Sequence, residues 1–398
     1  MMARILTAWL MLTACMAFPA RAQEPAVAAF ERAVGGYETK LEAEQVVGGA
    51  VALVLPDGGI VQRHHGYADR DAGIRVDDNT LFHWASVTKL FTSIAAMQLV
   101  ERGLLDLDDP VTDHVPAFAR VDNPFGAPRG ITIRHLLTHS SGLRGATWPW
   151  NADGAGTSPR WQPHEPRDWS QIEAMFPYTG LSFQPGSKAS YSNLGISILG
   201  RVVEVVSGEG METYIDKNVL RPLDMHRTYF DTTPWHLAPF RVHGYRAADD
   251  GILDLGPDLQ TGATNANGGL NGPMADMATF VRWLMTGAVS ARVLQPATLD
   301  RMIAPQLEFA RDDRRTISMG LGFFVVDERG PEGETHRYFG HSGFQAGHRS
   351  SLYIAADGSG AFIFAANTVS EGGNSSAGEL RIAMVDEVWP QLRQGAIR

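Results

Sequence analysis

The sequence predicts an α/β unit assembled from both ends of the chain, with a mainly helical unit inserted between them. Three observations lead there. Near the start, "VVGGAVALVLPDGGIVQRHHGYA" reads as two strands around the turn Asp57-Gly58-Gly59. Near the end, "SSLYIAADGSGAFIFAANT" reads as a second hairpin, turning at Asp357 to Gly360. Between them, "ITIRHLLTHSSG", "NLGISILGRVVEVVSG", "METYIDKNVL" and "MADMATFVRWLMTG" carry apolar residues at helical spacing, several with a glycine just past the end. The α/β part is expected over about 26–84 and 310–398, and the helical part over about 85–309.

In chain order, the first residues read as an export signal. "MMAR" is positive, and "ILTAWLMLTACMAF" is apolar but too short to span a bilayer. Pro19 breaks it, and Ala20 to Ala22 offer small residues before Gln23, so a signal peptide is expected over 1–22 and a single domain over 23–398, secreted or periplasmic. The alternative is a lipoprotein anchored at Cys15, from "LTAC". Cys15 is the one cysteine, so a chain without its leader has no disulfide and no cysteine-ligated zinc. "AVAAFERAVGGYETKLEAE" then reads as a helix, and the chain should close on another, "SSAGELRIAMVDEVWPQL", ending before Pro390. Residues 144–170 show little periodicity but hold Trp148, Trp150, Trp161 and Trp169; a loop this long suggests a substrate lid or a packed loop. A formal charge of −10 with no lysine- or arginine-rich run argues against nucleic acid and anionic membranes as partners.

Chemistry enters at "SVTKLFTSIAAMQLVERG". Its apolar residues surround the helix rather than forming one stripe, the pattern of a helix buried on most sides. Ser86 and Lys89 are three apart and share a face at its N-terminus. A serine hydroxyl is a poor nucleophile until a base takes its proton, and a desolvated lysine can be that base. A capping serine beside a lysine snorkelling to the surface would look the same. In "FQPGSKASYSNLGISILG", Tyr191 closes a loop and Ser192 or Asn193 caps a helix; a phenol can relay a proton, and an amide can hold a substrate carbonyl. In "YFGHSGFQAGHRSSLYI", His341, Ser342 and Gly343 begin a strand whose edge could offer N–H and C=O groups to a peptide-like substrate.

Together, Ser86-Val87-Thr88-Lys89, Tyr191-Ser192-Asn193 and His341-Ser342-Gly343 resemble the three motifs of the serine penicillin-recognising enzymes, in the branch of class C β-lactamases, DD-peptidases and related esterases. Flanking "ITIRHLLTHSSGL", "FQPG", "NGGLNGPMADMATFVRWL" and "GHSGFQAGHRSSL" extend the likeness over nearly the whole chain. The resemblance implies a β-lactamase/transpeptidase-like fold, an antiparallel sheet flanked by helices with an inserted helical subdomain. It implies Ser86 as acylated nucleophile, Lys89 as its base partner, Tyr191 in proton transfer, Asn193 on the acyl side and His341 on the opposite wall. The N–H groups of Ser86 and Phe344 would form the oxyanion hole. Which of Lys89 and Tyr191 takes the proton in each step stays open.

The third motif departs from the pattern. β-Lactamases of this branch carry lysine where His341 stands, and commonly a small hydroxyl residue where Phe344 stands. Histidine is mostly neutral at pH 7, so the fixed cation for a substrate carboxylate is missing unless Arg349 supplies it. An ester or small amide is therefore the first expected substrate, a D-Ala-D-Ala peptide the second and a β-lactam the third; a non-catalytic cell-wall peptide-binding protein is the rival from another class. No cofactor and no metal are expected: despite 13 histidines there is no H-E-x-x-H, and His64 and His65 point to opposite faces of a strand. "GHSGF" departs from a G-x-S-x-G elbow at Phe344 and leaves almost no chain for an acid and a histidine. Oligomeric state is not legible.

Overall fold

The structure is a computed structural model that describes residues 23–147, 166–257, 261–286, 290–370 and 376–396. The segment read as a leader, Cys15, and Trp148, Trp150 and Trp161 lie outside the described residues.

The front of the chain supplies β1 (Gly48–Val54), β2 (Ile60–Asp69), β3 (Ile74–Arg75) and β4 (Leu81–His83). The middle supplies β5 (Tyr229–Phe230), β6 (Gly244–Ala248), β7 (Gly251–Gly256) and β8 (Leu270–Pro273). The last part supplies β9 (Leu307–Arg311), β10 (Arg315–Met319), β11 (Phe324–Arg329), β12 (Thr335–Gln345), β13 (His348–Ala355), β14 (Ala361–Ala366) and β15 (Thr368–Ser370). Nine of these form one sheet in the order β3-β2-β1-β14-β13-β12-β11-β10-β9. Its neighbours are all antiparallel, and the two ends of the chain meet where β1 pairs with β14, Ala52 opposite Ile363. Every residue of β1 and of β14 is buried, as expected of central strands covered on both faces.

One face packs against the helix α1 (Glu24–Ala43) and the C-terminal helices, through Phe30, Tyr37, Phe362, Phe364 and Trp389. The other packs against the helical part, through Ala52, Leu352, Ile354 and Ile363. There α2 (Thr88–Glu101) is buried from Thr88 to Leu99, so the apolar residues on all its sides meet protein. Gly103, at φ 67°, turns the chain away after it. The helical part is less purely helical than its spacing suggests. It contains the β6–β7 hairpin, and β4, β8 and β5 form a small sheet of their own. β6 and β7 are short and carry glycines at both ends of β7, which weakens a strand signal in the sequence. The last helix does not stop before Pro390. It runs through a wide turn, Met384–Val388, with i→i+5 bonds, and continues as Trp389–Ala396. The widened turn absorbs the ring and the missing N–H that would break a regular helix.

Candidate active site

Ser86 lies in a single 3₁₀ turn, Ala85–Val87, immediately ahead of α2 rather than inside it. The turn is strained: Ala85 has φ 46°, a region an alanine seldom occupies, and such outliers persist where packing over-determines them. The packing is visible. A Cβ on Gly343 of β12 would stand 2.5 Å from the Trp84 carbonyl oxygen and 3.0 Å from the Ala85 Cβ. Ser350 of β13 donates to the same Trp84 oxygen at 2.7 Å. Glycine at 343 thus lets the third-motif strand press against the turn that presents Ser86.

One helical turn on, Lys89 is fully buried and donates to Ser86 Oγ at 2.8 Å and to the Asn267 carbonyl at 2.6 Å. Its Nζ also stands 5.0 Å from the centre of the Tyr191 ring. Lys89 exposes no surface to solvent, so the snorkelling alternative does not hold. Ser192 caps the next helix, Asn193–Ser207, accepting from the Gly195 N–H at 2.9 Å. That fixes Tyr191 and Asn193 on either side of the cap. Burial pushes the Tyr191 phenol up, opposed by its hydrogen bond with Ser86. The Asn193 Oδ1 is buried without a partner among the described residues and lines the cleft.

His341 faces them from β12. Its Nδ1–H donates to the Ser342 carbonyl at 2.6 Å, which leaves the lone pair on Nε2, a buried atom with no hydrogen-bond partner among the described residues. Burial, with help from the Lys89 charge, pushes its pKa down to about 3, so the ring is neutral. The β11–β12 pairing ends at Phe324 opposite Gly340, so no β11 residue pairs with His341 to Gln345 on that side of β12. Ser86, Tyr191, Asn193, His341, Gly343 and Phe344 line one cleft of about 500 Å³. Ser342 belongs to the rim, its hydroxyl turned to the other face of the sheet, 2.9 Å from the Tyr353 OH. Phe344 is 59% exposed at the mouth, with the Arg349 guanidinium 5.5 Å from its ring centre.

Three residues outside the motifs shape the cleft. His139, at φ 51°, accepts from the Ser190 N–H through its carbonyl at 2.7 Å and from the Ser192 N–H through Nδ1 at 3.2 Å, so it brackets Tyr191, whose ring centre is 4.6 Å away. Phe324 stacks on Tyr191 and lies 4.9 Å from the His341 ring. Asn267 provides the second acceptor of Lys89. The first two sit in "HLLTHSSG" and at the start of β11, where sequence spacing shows only core positions. Trp169, the one described tryptophan of the loop read as a lid, packs on Phe176 and Arg201 and does not line this cleft. Among the described residues, no group of three or more His, Cys, Asp or Glu is placed to hold a metal ion, and no helix is long and apolar enough to cross a membrane.

A hydroxyl held by a buried amine thus faces a phenol and a neutral imidazole across one cleft. A family model described as Beta-lactamase matches residues 31–386, and the chain belongs to that family of hydrolases. It is 40% identical over 184 residues to esterase EstB of Burkholderia gladioli, a match spanning 44% of this chain and 45% of the esterase. Penicillin-binding protein 4 of Amycolatopsis lactamdurans is 28% identical over 323 residues, 79% of each chain. Among solved structures, the D-amino acid amidase of Ochrobactrum anthropi SV3 superposes with a TM-score of 0.71 at 23% identity, over 89% of this chain and 98% of that one.

Proposed function

We propose that the protein is an exported serine hydrolase that cleaves neutral esters and small amides through an acyl-enzyme on Ser86. Ser86 Oγ attacks the substrate carbonyl carbon as its proton passes into the Lys89–Tyr191 pair. The oxyanion forms against the N–H groups of Ser86 and Phe344, donors typically worth ~2.7–4 kcal/mol each. The same proton goes to the departing alcohol or amine, and water then releases the acyl group by the reverse path. Asn193 holds the acyl side.

The observation that carries the substrate class is the state of His341. A neutral, buried imidazole with its Nδ1–H tied to the Ser342 carbonyl is no counter-ion for a carboxylate. The exposed Phe344 ring, on the Ser342 face of β12, adds apolar surface rather than a hydrogen bond to the mouth of the cleft. A second reading, a D-Ala-D-Ala carboxypeptidase, draws support from the His341–Gln345 edge, which has no β11 partner and which an extended peptide could join as a strand, and from Arg349 in the same cleft. The test is a panel of short p-nitrophenyl esters, D-amino-acid amides, a D-Ala-D-Ala peptide and nitrocefin, compared by kcat/KM. Esters are expected to lead, and Ser86→Ala should abolish both turnover and fluorophosphonate labelling. Preference for the dipeptide terminus would move the assignment to the carboxypeptidase. No labelling with tight muropeptide binding would make the protein a binding protein.

A further inference from the structure

We infer that Asn267 is a positioning residue for Lys89, holding the amine on Ser86 by fixing its own carbonyl; this rests on the reading of Ser86 and Lys89 as the reacting pair. Asn267 lies in the short helical turn Asn265–Gly268, distant in sequence from all three motifs. Its carbonyl accepts from Lys89 Nζ at 2.6 Å. An amine on four flexible carbons has several rotamers within reach of a hydroxyl, and a second fixed acceptor selects among them. The carbonyl is itself held, because the buried Asn267 Nδ2 donates to Ser197 Oγ at 2.8 Å on the helix that carries Asn193. The preceding residue is clamped as well: the Ala266 carbonyl accepts from Thr92 of α2 at 2.7 Å. On the other side the turn meets the third-motif strand, since a Cβ on Gly268 would stand 2.4 Å from Gln345 Oε1. One turn therefore touches the elements that carry all three motifs, and its Asn267 links the first to the second.

The consequence is chemical as well as geometric. A hydrogen bond to a carbonyl favours the ammonium form of Lys89 over the free amine. Facing that amine are the Ser86 hydroxyl, the Tyr191 ring and the buried imidazoles of His139 and His341, whose charged forms Lys89 disfavours. Loosening the carbonyl should move the ionisation of Lys89 to lower pH and cost turnover without costing ground-state binding.

The experiment measures kcat, KM and the pH profile on p-nitrophenyl butyrate for the full chain, Asn267→Ala and Ser197→Ala, with fluorophosphonate labelling rates alongside. Expected for Asn267→Ala is a fall of about tenfold or more in kcat and in labelling rate at a nearly constant KM, with one limb of the pH profile displaced toward acid. Ser197→Ala, which removes only the acceptor of the Asn267 amide, should show the same displacement at smaller amplitude, and it carries the test if Asn267→Ala does not fold. A superimposable pH profile in the folded variants, or a change confined to KM, overturns the inference. Failure of the underlying reading looks different: Ser86→Ala would then keep its labelling whatever Asn267 does.

Discussion

The two faces of the large sheet each bury a charged side chain, and the surroundings of the two charges differ. On the face toward the C-terminal helices, Glu328 is fully buried and meets the guanidinium groups of Arg314 and Arg381, while the Tyr338 hydroxyl donates to it at 2.6 Å. On the other face, Lys89 donates to two neutral oxygens, a hydroxyl and a carbonyl. A carboxylate between two cations has its charge paired, and the cluster ties the last helix to β11 and β12. An amine aimed at a hydroxyl keeps a proton it can exchange. Burial alone therefore does not set what a charge can do; the chemistry of its partners does.

Substitutions at the two charges should separate these roles. Lys89→Met should lower kcat/KM on p-nitrophenyl esters by about 10²–10⁴-fold while the melting temperature holds or rises, since an apolar isostere removes a desolvated charge. Glu328→Gln should do the reverse. It leaves two guanidinium groups beside an uncharged partner and should cost about 3 kcal/mol in a denaturant titration, with kcat per folded molecule unchanged. A Glu328→Gln protein that is stable but inactive would break the comparison.

A finer test acts on the contact between strand and turn. Gly343→Ala sets a methyl against the Trp84 carbonyl and should push β12 away from Ser86, lowering kcat by up to about 10²-fold for a shift on the order of 1 Å. The smallest effect is a slope. His341 and His83 are held neutral by burial, His341 down to about 3 and His83 to about 4. Their folded pKa values lie below the unfolded one, so the stability they contribute is whole above about pH 6.5 and drains away as pH falls toward those values. His83→Gln should flatten the loss of melting temperature between pH 6.5 and 4 relative to the parent, because one buried imidazole no longer takes up a proton on unfolding.

The motif residues were legible because each combines an unusual residue type with a local reason to be there. Ser86 and Lys89 stand three apart at the start of an apolar run, Tyr191 precedes a cap, and Gly343 belongs to a strand, though near its end rather than its beginning. The two terminal hairpins were legible through their period and their turn residues. His139 and Asn267 were not. Both act partly through a backbone carbonyl, an atom every residue has, toward partners far away in the chain, so neither periodicity nor residue type marks them. The β6–β7 hairpin was missed because its strands are short and rich in glycine, and the continuation past Pro390 because a widened turn has no compositional signature.

The pairing of β1 with β14 has a consequence for how this chain comes into being. During synthesis the strand nearest the N-terminus emerges early, while the neighbour that completes its hydrogen bonding is made near the very end. Until then its ladder is open and apolar on both sides, an invitation to any other extended segment nearby. The polypeptide must stay loose, or be chaperoned, for almost its entire length before closing in one late step, and such long-range closure is slow. A truncation that removes the last two strands of the large sheet should therefore yield aggregate rather than a smaller working enzyme.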